Sequence, residues 1–184
     1  MDGTITLGSG RPSDKRIAKE ERCYALLDSL GVAFDRADHG FADTIEACRD
    51  IEIVLGCPIC KNLFLTNRQQ TEFYLLLMPG DKPFKTKILS KQIGTARLSF
   101  ASADDMLRLL DITPGSVSLL GLMNDKNKAV HLLIDRQLAS DAFLGCHPCI
   151  NSSTLKISMR DVLEKLIPAM GHEIAWVELP WETE

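Results

Sequence analysis

The chain has 184 residues, 45% of them hydrophobic and 25% charged, which is the balance of a single globular domain and not of a disordered tail. Its net charge of −4 supplies no global field for a polyanion, so any nucleic acid must be met by a local patch. No stretch approaches the roughly 18 uninterrupted apolar residues of a membrane span, and the start, Met1 to Ile5, lacks a basic region followed by an apolar one; a cytoplasmic protein with no membrane partner is expected.

Residues 1–12, with Gly3, Gly8, Gly10 and Pro12, read as a loose leader before one domain over 13–184. Ser13 is placed to cap a first helix in which Ile17, Tyr24, Leu27 and Leu30 recur at helical spacing and which Gly31 ends. A strand over Val32–Arg36 and a helix capped by Asp43 and running to about Val54 follow. Lys61–Asn67 and Thr71–Met78 are apolar runs separated by Arg68-Gln69-Gln70, the pattern of an antiparallel hairpin with Lys61 at its open end. A Pro/Gly loop then leads to a basic helix from Lys85 to about Ile93, a short strand over Arg97–Phe100, and a helix capped by Ser102 with Asp105. Ser116–Met123 and Val130–Ile134, joined by Asn124–Asn127, predict a second hairpin. Ser152–Ile157 reads as a strand, Ser158 as the cap of a helix over Met159–Met170, and Glu173–Leu179 as a last strand. Helices and hairpins so interleaved exclude a purely parallel doubly wound sheet and predict an α+β fold, a mixed and mostly antiparallel sheet with helices around it.

The familiar catalytic signatures are missing. There is no Gly-x-Ser-x-Gly elbow, no Gly-rich phosphate loop and no His-Glu-x-x-His, and the only histidines are His39, His131, His147 and His172. Of six cysteines, four form two Cys-x-x-Cys pairs, Cys57/Cys60 and Cys146/Cys149, half of a tetrahedral zinc signature. Zinc ribbons usually separate their pairs by about 12–20 residues; here 85 residues, 61 to 145, intervene, so reduced thiols are favoured over a metal and no cofactor is expected. What remains is a cation at the mouth of a strand, a Gly-x-His-Pro loop, and a basic run of Lys82, Lys85, Lys87, Lys91 and Arg97 with no acidic residue among them. Such parts suit an anionic ligand, and the run suits a phosphate backbone.

Five segments occur in order: Lys61-Asn62-Leu63-Phe64-Leu65, Arg97-Leu98-Ser99-Phe100-Ala101, Pro114-Gly115-Ser116-Val117-Ser118, Gly121-Leu122-Met123-Asn124-Asp125 and Gly145-x-His147-Pro148-x-x-Asn151. Together they resemble the free-standing prolyl-tRNA synthetase-associated editing domain, the YbaK/ProX family of aminoacyl-tRNA deacylases, over about residues 21–179. The resemblance implies a trans-editing enzyme of translation fidelity that hydrolyses mischarged tRNA, typically alanyl-tRNA(Pro), because a proline pocket cannot strongly reject a smaller amino acid. It implies that Lys61 is needed for activity at the acceptor end, that Gly115 offers backbone groups which position water, and that His147 shapes the amino-acid pocket. Asn62, Ser118, Gly145, Pro148 and Asn151 would bind substrate, Lys82, Lys85, Lys87 and Lys91 would bind tRNA, and prolyl-tRNA synthetase would be a partner. A module that has kept the fold and tRNA binding but lost catalysis is the alternative. Two departures stand out: Leu119 occupies a place where relatives commonly have Pro, and the cysteine pairs would come near each other if the fold joins Lys61 and His147 in one cleft.

Overall fold

The computed structural model describes residues 4–42 and 44–182. Its strands form two sheets. The first has four strands in the order β1 (Thr6–Ser9), β2 (Phe34–Asp38), β8 (Ser153–Ser158), β7 (Phe143–Cys146), all antiparallel. The second has five, β5 (Ser99–Phe100), β3 (Lys61–Thr66), β4 (Phe73–Met78), β6 (Val130–Asp135), β9 (Ile174–Val177). Its β5–β3–β4 side is antiparallel and its β4–β6–β9 side parallel. The helices are α1 (Ala18–Ser29), α2 (Ile45–Leu55), α3 (Thr86–Ile93), α4 (Ala103–Leu110) and α5 (159–169), whose middle, Val162–Leu166, widens into a π turn.

Strand β4 shows why both faces of the larger sheet are covered. All six of its residues are buried, and period-two alternation sends Phe73, Leu75 and Leu77 into one apolar cluster and Tyr74, Leu76 and Met78 into another. The first cluster is the main core, closed by Tyr24 and Leu27 of α1, Leu109 and Leu110 of α4, and Leu166 and Ile167 of α5. The second lies under Leu89 of α3 and is sealed by Val177 and Leu179. A third, smaller cluster seats Ile51 and Leu55 of α2 on Ala37 of β2.

The two sheets share the main core, and a backbone bridge joins them. Ile59 bridges Gly145 in parallel, with the Cys60 amide donating to Gly145 O at 3.2 Å and the Gly145 amide donating to Pro58 O at 3.2 Å. A Cβ on Gly145 would lie 2.6 Å from Pro58 O and 3.1 Å from Ile59 Cα, contacts with backbone that cannot move aside. Gly145→Ala is therefore expected to cost about 1–3 kcal/mol as overpacking, read as a lower midpoint in urea unfolding; an unchanged midpoint would show that the joint is loose.

Four expectations need correction. The leader is in part a strand: Thr6–Ser9 pairs with β2, and Gly10 N donates to Phe34 O at 2.8 Å. Helix α1 starts at Ala18 and not after Ser13, because Arg16 is drawn aside into ion pairs with Asp14, Glu20 and Asp38. Ser116–Met123 is not a strand: Leu119–Asn124 is a 3-10 turn in which Ser118 Oγ accepts from Leu120 N at 3.2 Å and Asn124 Nδ2 donates to Leu110 O at 2.8 Å. With that run removed, β6 pairs in parallel with β4 and the second hairpin disappears. Finally, the Gly-x-His-Pro loop starts inside a strand, Phe143–Cys146. The expected cap at Asp43 falls outside the described residues; Thr44 Oγ1 accepts from Ala47 N at 3.1 Å at the start of α2.

Candidate active site

Lys61 is the first residue of β3, immediately after the joint between the sheets. Its ammonium donates to the Lys82 carbonyl oxygen at 2.7 Å and is half-buried. Burial pulls its pKa below the ordinary lysine value, with Asp81 acting in the opposite sense. It faces a cleft of about 670 Å³ whose walls include Ala42, Cys48 and Arg49 on one side and Ile59, Gly80 and Asp81 on the other. Glu52 Oε1 accepts from Ile59 N at 2.8 Å, which ties α2 to the joint and fixes the width of the cleft. Next along the chain, Asn62 Nδ2 donates to Cys60 O at 3.1 Å, while Asn62 Oδ1 is buried without a hydrogen-bond donor.

Gly115 and His147 are not in the wall of that cleft; Asn151 links the Gly115 turn to it. Asn151 is buried, its Oδ1 accepts from Ala42 N and its Nδ2 donates to Ala42 O, both at 3.3 Å. Gly115 adopts φ +87°, open to glycine and strained for other residues, and a Cβ there would sit 3.7 Å from Asn151 Nδ2. A Cys149 φ of +60° turns the Gly-x-His-Pro loop so that Asn151 can make this clamp.

His147 Nδ1 lies 2.9 Å from Ser153 O and 3.3 Å from Thr154 Oγ1. A carbonyl oxygen only accepts, so Nδ1 carries the proton and Nε2 of the neutral ring is left with its lone pair. Thr154 Oγ1 is also 2.8 Å from His39 Nε2, and His39 Nδ1 is 2.6 Å from Gly40 O. The His39 Nδ1 proton goes to Gly40 O, so the Thr154 hydroxyl donates to His39 Nε2, an order from His147 through Thr154 to His39 that requires the His39 ring to be neutral. Burial lowers the pKa of both rings, in agreement with that order. His131 lies against the Tyr74 ring at 5.2 Å and His172 pairs with Asp125 at 2.9 Å, both away from the cleft.

The joint also brings the Cys-x-x-Cys pairs together, so that Cys146 has Cys57, Cys60 and Cys149 as electrostatic neighbours. Burial pushes Cys57 up to about 11 and Cys60 up to about 12, and pushes Cys146 well above the ordinary thiol value. These thiols stay protonated at neutral pH and make poor nucleophiles. All six cysteines are free, Cys23 Sγ lying 3.5 Å from Cys149 Sγ. Among the described residues, no group of three or more His, Cys, Asp or Glu side chains is arranged to hold a metal ion.

Two of the expected binding residues are corrected. Lys82 is 3% exposed, its ammonium committed to Asp135 Oδ2 and Leu179 O, each at 2.8 Å; it is structural and cannot meet a phosphate. Ser118 is fully buried and its hydroxyl caps the 3-10 turn, so it does not reach a substrate. Pro148 and Leu119 are buried too. Lys85, Lys87 and Lys91 remain on the surface with Arg97. Lys87 and Arg97 share a hollow of about 480 Å³ with Thr86 and Ser90. The sequence reading gave His39 and Thr154 no part in the site; neither stands in a motif, and only the β2–β8 pairing brings them to His147.

The profile of the aminoacyl-tRNA editing domain matches residues 39–165, from His39 through the cleft to α5. The chain belongs to that family. It is 35% identical over 160 residues to the prolyl-tRNA editing protein ProX of Acetoanaerobium sticklandii, covering 87% of this chain and 97% of that protein. It is 29% identical to the prolyl-tRNA synthetase associated domain-containing protein 1 of Danio rerio, covering 84% of this chain and 83% of the relative. A crystal structure of a candidate trans-editing enzyme for prolyl tRNA synthetase superposes with a TM-score of 0.64 at 13% identity, over 90% of this chain and all of that one. At that identity the likeness is one of fold.

Proposed function

We propose that this protein is a trans-editing deacylase that hydrolyses the ester of mischarged tRNA, with alanyl-tRNA(Pro) as its main substrate. The observation that carries the reading is Lys61: a half-buried ammonium, anchored on a backbone carbonyl, at the edge of an open cleft. Its membership of the editing family and its likeness to the ProX relative give the reading its substrate class. An aminoacyl ester is already activated, so positioning and preorganised charge can carry the rate without a protein nucleophile. That suits a site whose thiols are held protonated by burial.

In this reading Lys61 holds an acceptor-end phosphate or the ester oxygens. Backbone groups at Gly115 position the attacking water, assisted by the terminal ribose 2′-hydroxyl, and Asn62, Gly145 and Asn151 shape the site around it. His147, neutral and fixed by Ser153 O, bounds the amino-acid pocket and is not the general base. Lys85, Lys87 and Lys91 of the α3 region track the RNA backbone, and a prolyl-tRNA synthetase delivers the substrate in the cytoplasm. No helix among the described residues is long and apolar enough to cross a membrane.

The test is a deacylation panel of alanyl-, cysteinyl- and prolyl-tRNA(Pro) at matched concentration. Double-sieve selection predicts rapid release of alanine and little release of proline, since a pocket that excludes the larger side chain spares the correct product. Equal rates for alanine and proline would sink the substrate assignment.

A further inference from the structure

A second cleft, of about 320 Å³, lies against the first and shares Ile59, Cys60, Gly80 and Asp81 with it. The partition is thin: a Cβ on Gly80 would lie 2.6 Å from Ile59 O. Where the first cleft holds the Lys61 ammonium, the second carries two open aromatic rings, Trp181 at 47% exposure and Phe143 at 40%. Neither ring is loose. Trp181 Nε1 donates to Gln137 Oε1 at 2.9 Å and the Lys82 ammonium lies 5.2 Å from the ring centroid. Lys156 Nζ lies 4.4 Å from the centroid of Phe143.

Lys82 joins the two clefts chemically. Its carbonyl takes the Lys61 ammonium and its own ammonium, pinned by Asp135, backs the Trp181 ring. A large aromatic side chain held rigid, with about half its surface open, beside a cation suited to a phosphate is the arrangement with which proteins bind unpaired nucleotides. An apolar protein segment has no use for the neighbouring cation, whereas a single-stranded RNA end offers both a phosphate for Lys61 and a flat base for Trp181.

We propose that Trp181 is a stacking platform for an unpaired base of the tRNA 3′ end, and that the second cleft is the nucleobase subsite of the Lys61 cleft. The proposal rests on the deacylase reading for its ligand, and its test separates the two. Trp176 is the only other tryptophan, so Trp176→Phe makes Trp181 the sole indole fluorophore. Titration of this variant with the trinucleotide CCA is expected to quench it saturably, while a trinucleotide of abasic sugar-phosphates leaves it unquenched. In deacylation, Trp181→Ala is expected to raise KM about tenfold or more at nearly constant kcat, from the usual worth of one base stack, and Trp181→Phe, which keeps a ring face, to recover most of it. Quenching without hydrolysis of any mischarged tRNA would leave the subsite standing and remove the deacylase reading. No quenching by CCA, equal quenching by the abasic probe, or an unchanged KM in Trp181→Ala would overturn the subsite. So would a wild-type dimer that Trp181→Ala splits in sedimentation, which would assign the ring to a second copy of the chain.

Discussion

Lys61→Ala is expected to lower the release of alanine from alanyl-tRNA(Pro) by about 10²–10³-fold, the usual loss when one preorganised charge is removed from an acyl-transfer site. The fold should survive. Among the described residues the Lys61 ammonium makes one hydrogen bond, to Lys82 O, and the net worth of such a bond is about 0.5–1.5 kcal/mol, a small part of the stability of a domain this size. The β3–β4 ladder at this end rests on the Lys61 and Met78 backbones and not on the side chain. Lys61→Arg should recover the activity only in part, because a planar fork cannot place its charge where a compact ammonium sits. Rates measured with enzyme in excess, beside thermal melting of each variant, separate chemistry from folding. Undiminished release by a folded Lys61→Ala would end the role assigned to this residue.

The largest effect on stability is expected at Asp135→Ala. Lys82 and Asp135 are 3% and 1% exposed, and their contact at 2.8 Å is closed off by Leu179 O on the ammonium and by Gln137 N on the other carboxylate oxygen. Removing the carboxylate leaves an ammonium buried without its counter-charge, a loss of about 3–5 kcal/mol, or a fall in melting temperature of roughly 10 °C for a chain of this length. A pair of apolar replacements, Lys82→Met with Asp135→Leu, should recover most of that stability, because it removes both desolvated charges together. Recovery of activity is a separate matter: the carbonyl that holds Lys61 belongs to Lys82, so any shift of the 79–83 turn moves the cation at the cleft. Urea unfolding of the single and double variants checks the energetics, and a cost under about 1 kcal/mol for Asp135→Ala would mean that the pair is wet.

Residues whose signal is local were legible in the sequence. Ser102 and Ser158 cap α4 and α5, as their spacing indicates, and the β3–β4 hairpin is marked by two apolar runs around a polar turn that Asn67 Oδ1 organises through Thr71 N and Glu72 N. Ser116–Met123 reads as a strand although it leads into the 3-10 turn Leu119–Asn124, because a continuous apolar run has no period to distinguish a buried strand from a buried turn. Strands β1 and β7 were missed for another reason. Each is four residues long with a glycine inside, so each depends on its neighbour for definition. The lysine run shows the same limit in the site. Lys82 and Lys85 look alike in sequence, yet Lys82 is buried by an aspartate 53 residues away. The approach of the two cysteine pairs, expected from the resemblance, follows from the Ile59–Gly145 bridge, a contact no spacing rule contains.

The measurement closest to the central claim is a single-turnover assay of alanyl-tRNA(Pro) with wild-type protein in excess, following bound tRNA and free alanine in the same samples. The account predicts release of alanine far above the spontaneous rate, lost in Lys61→Ala while tRNA binding persists. Tight binding of the mischarged tRNA with alanine released only at the spontaneous rate would contradict it and leave an RNA-binding module on an editing fold.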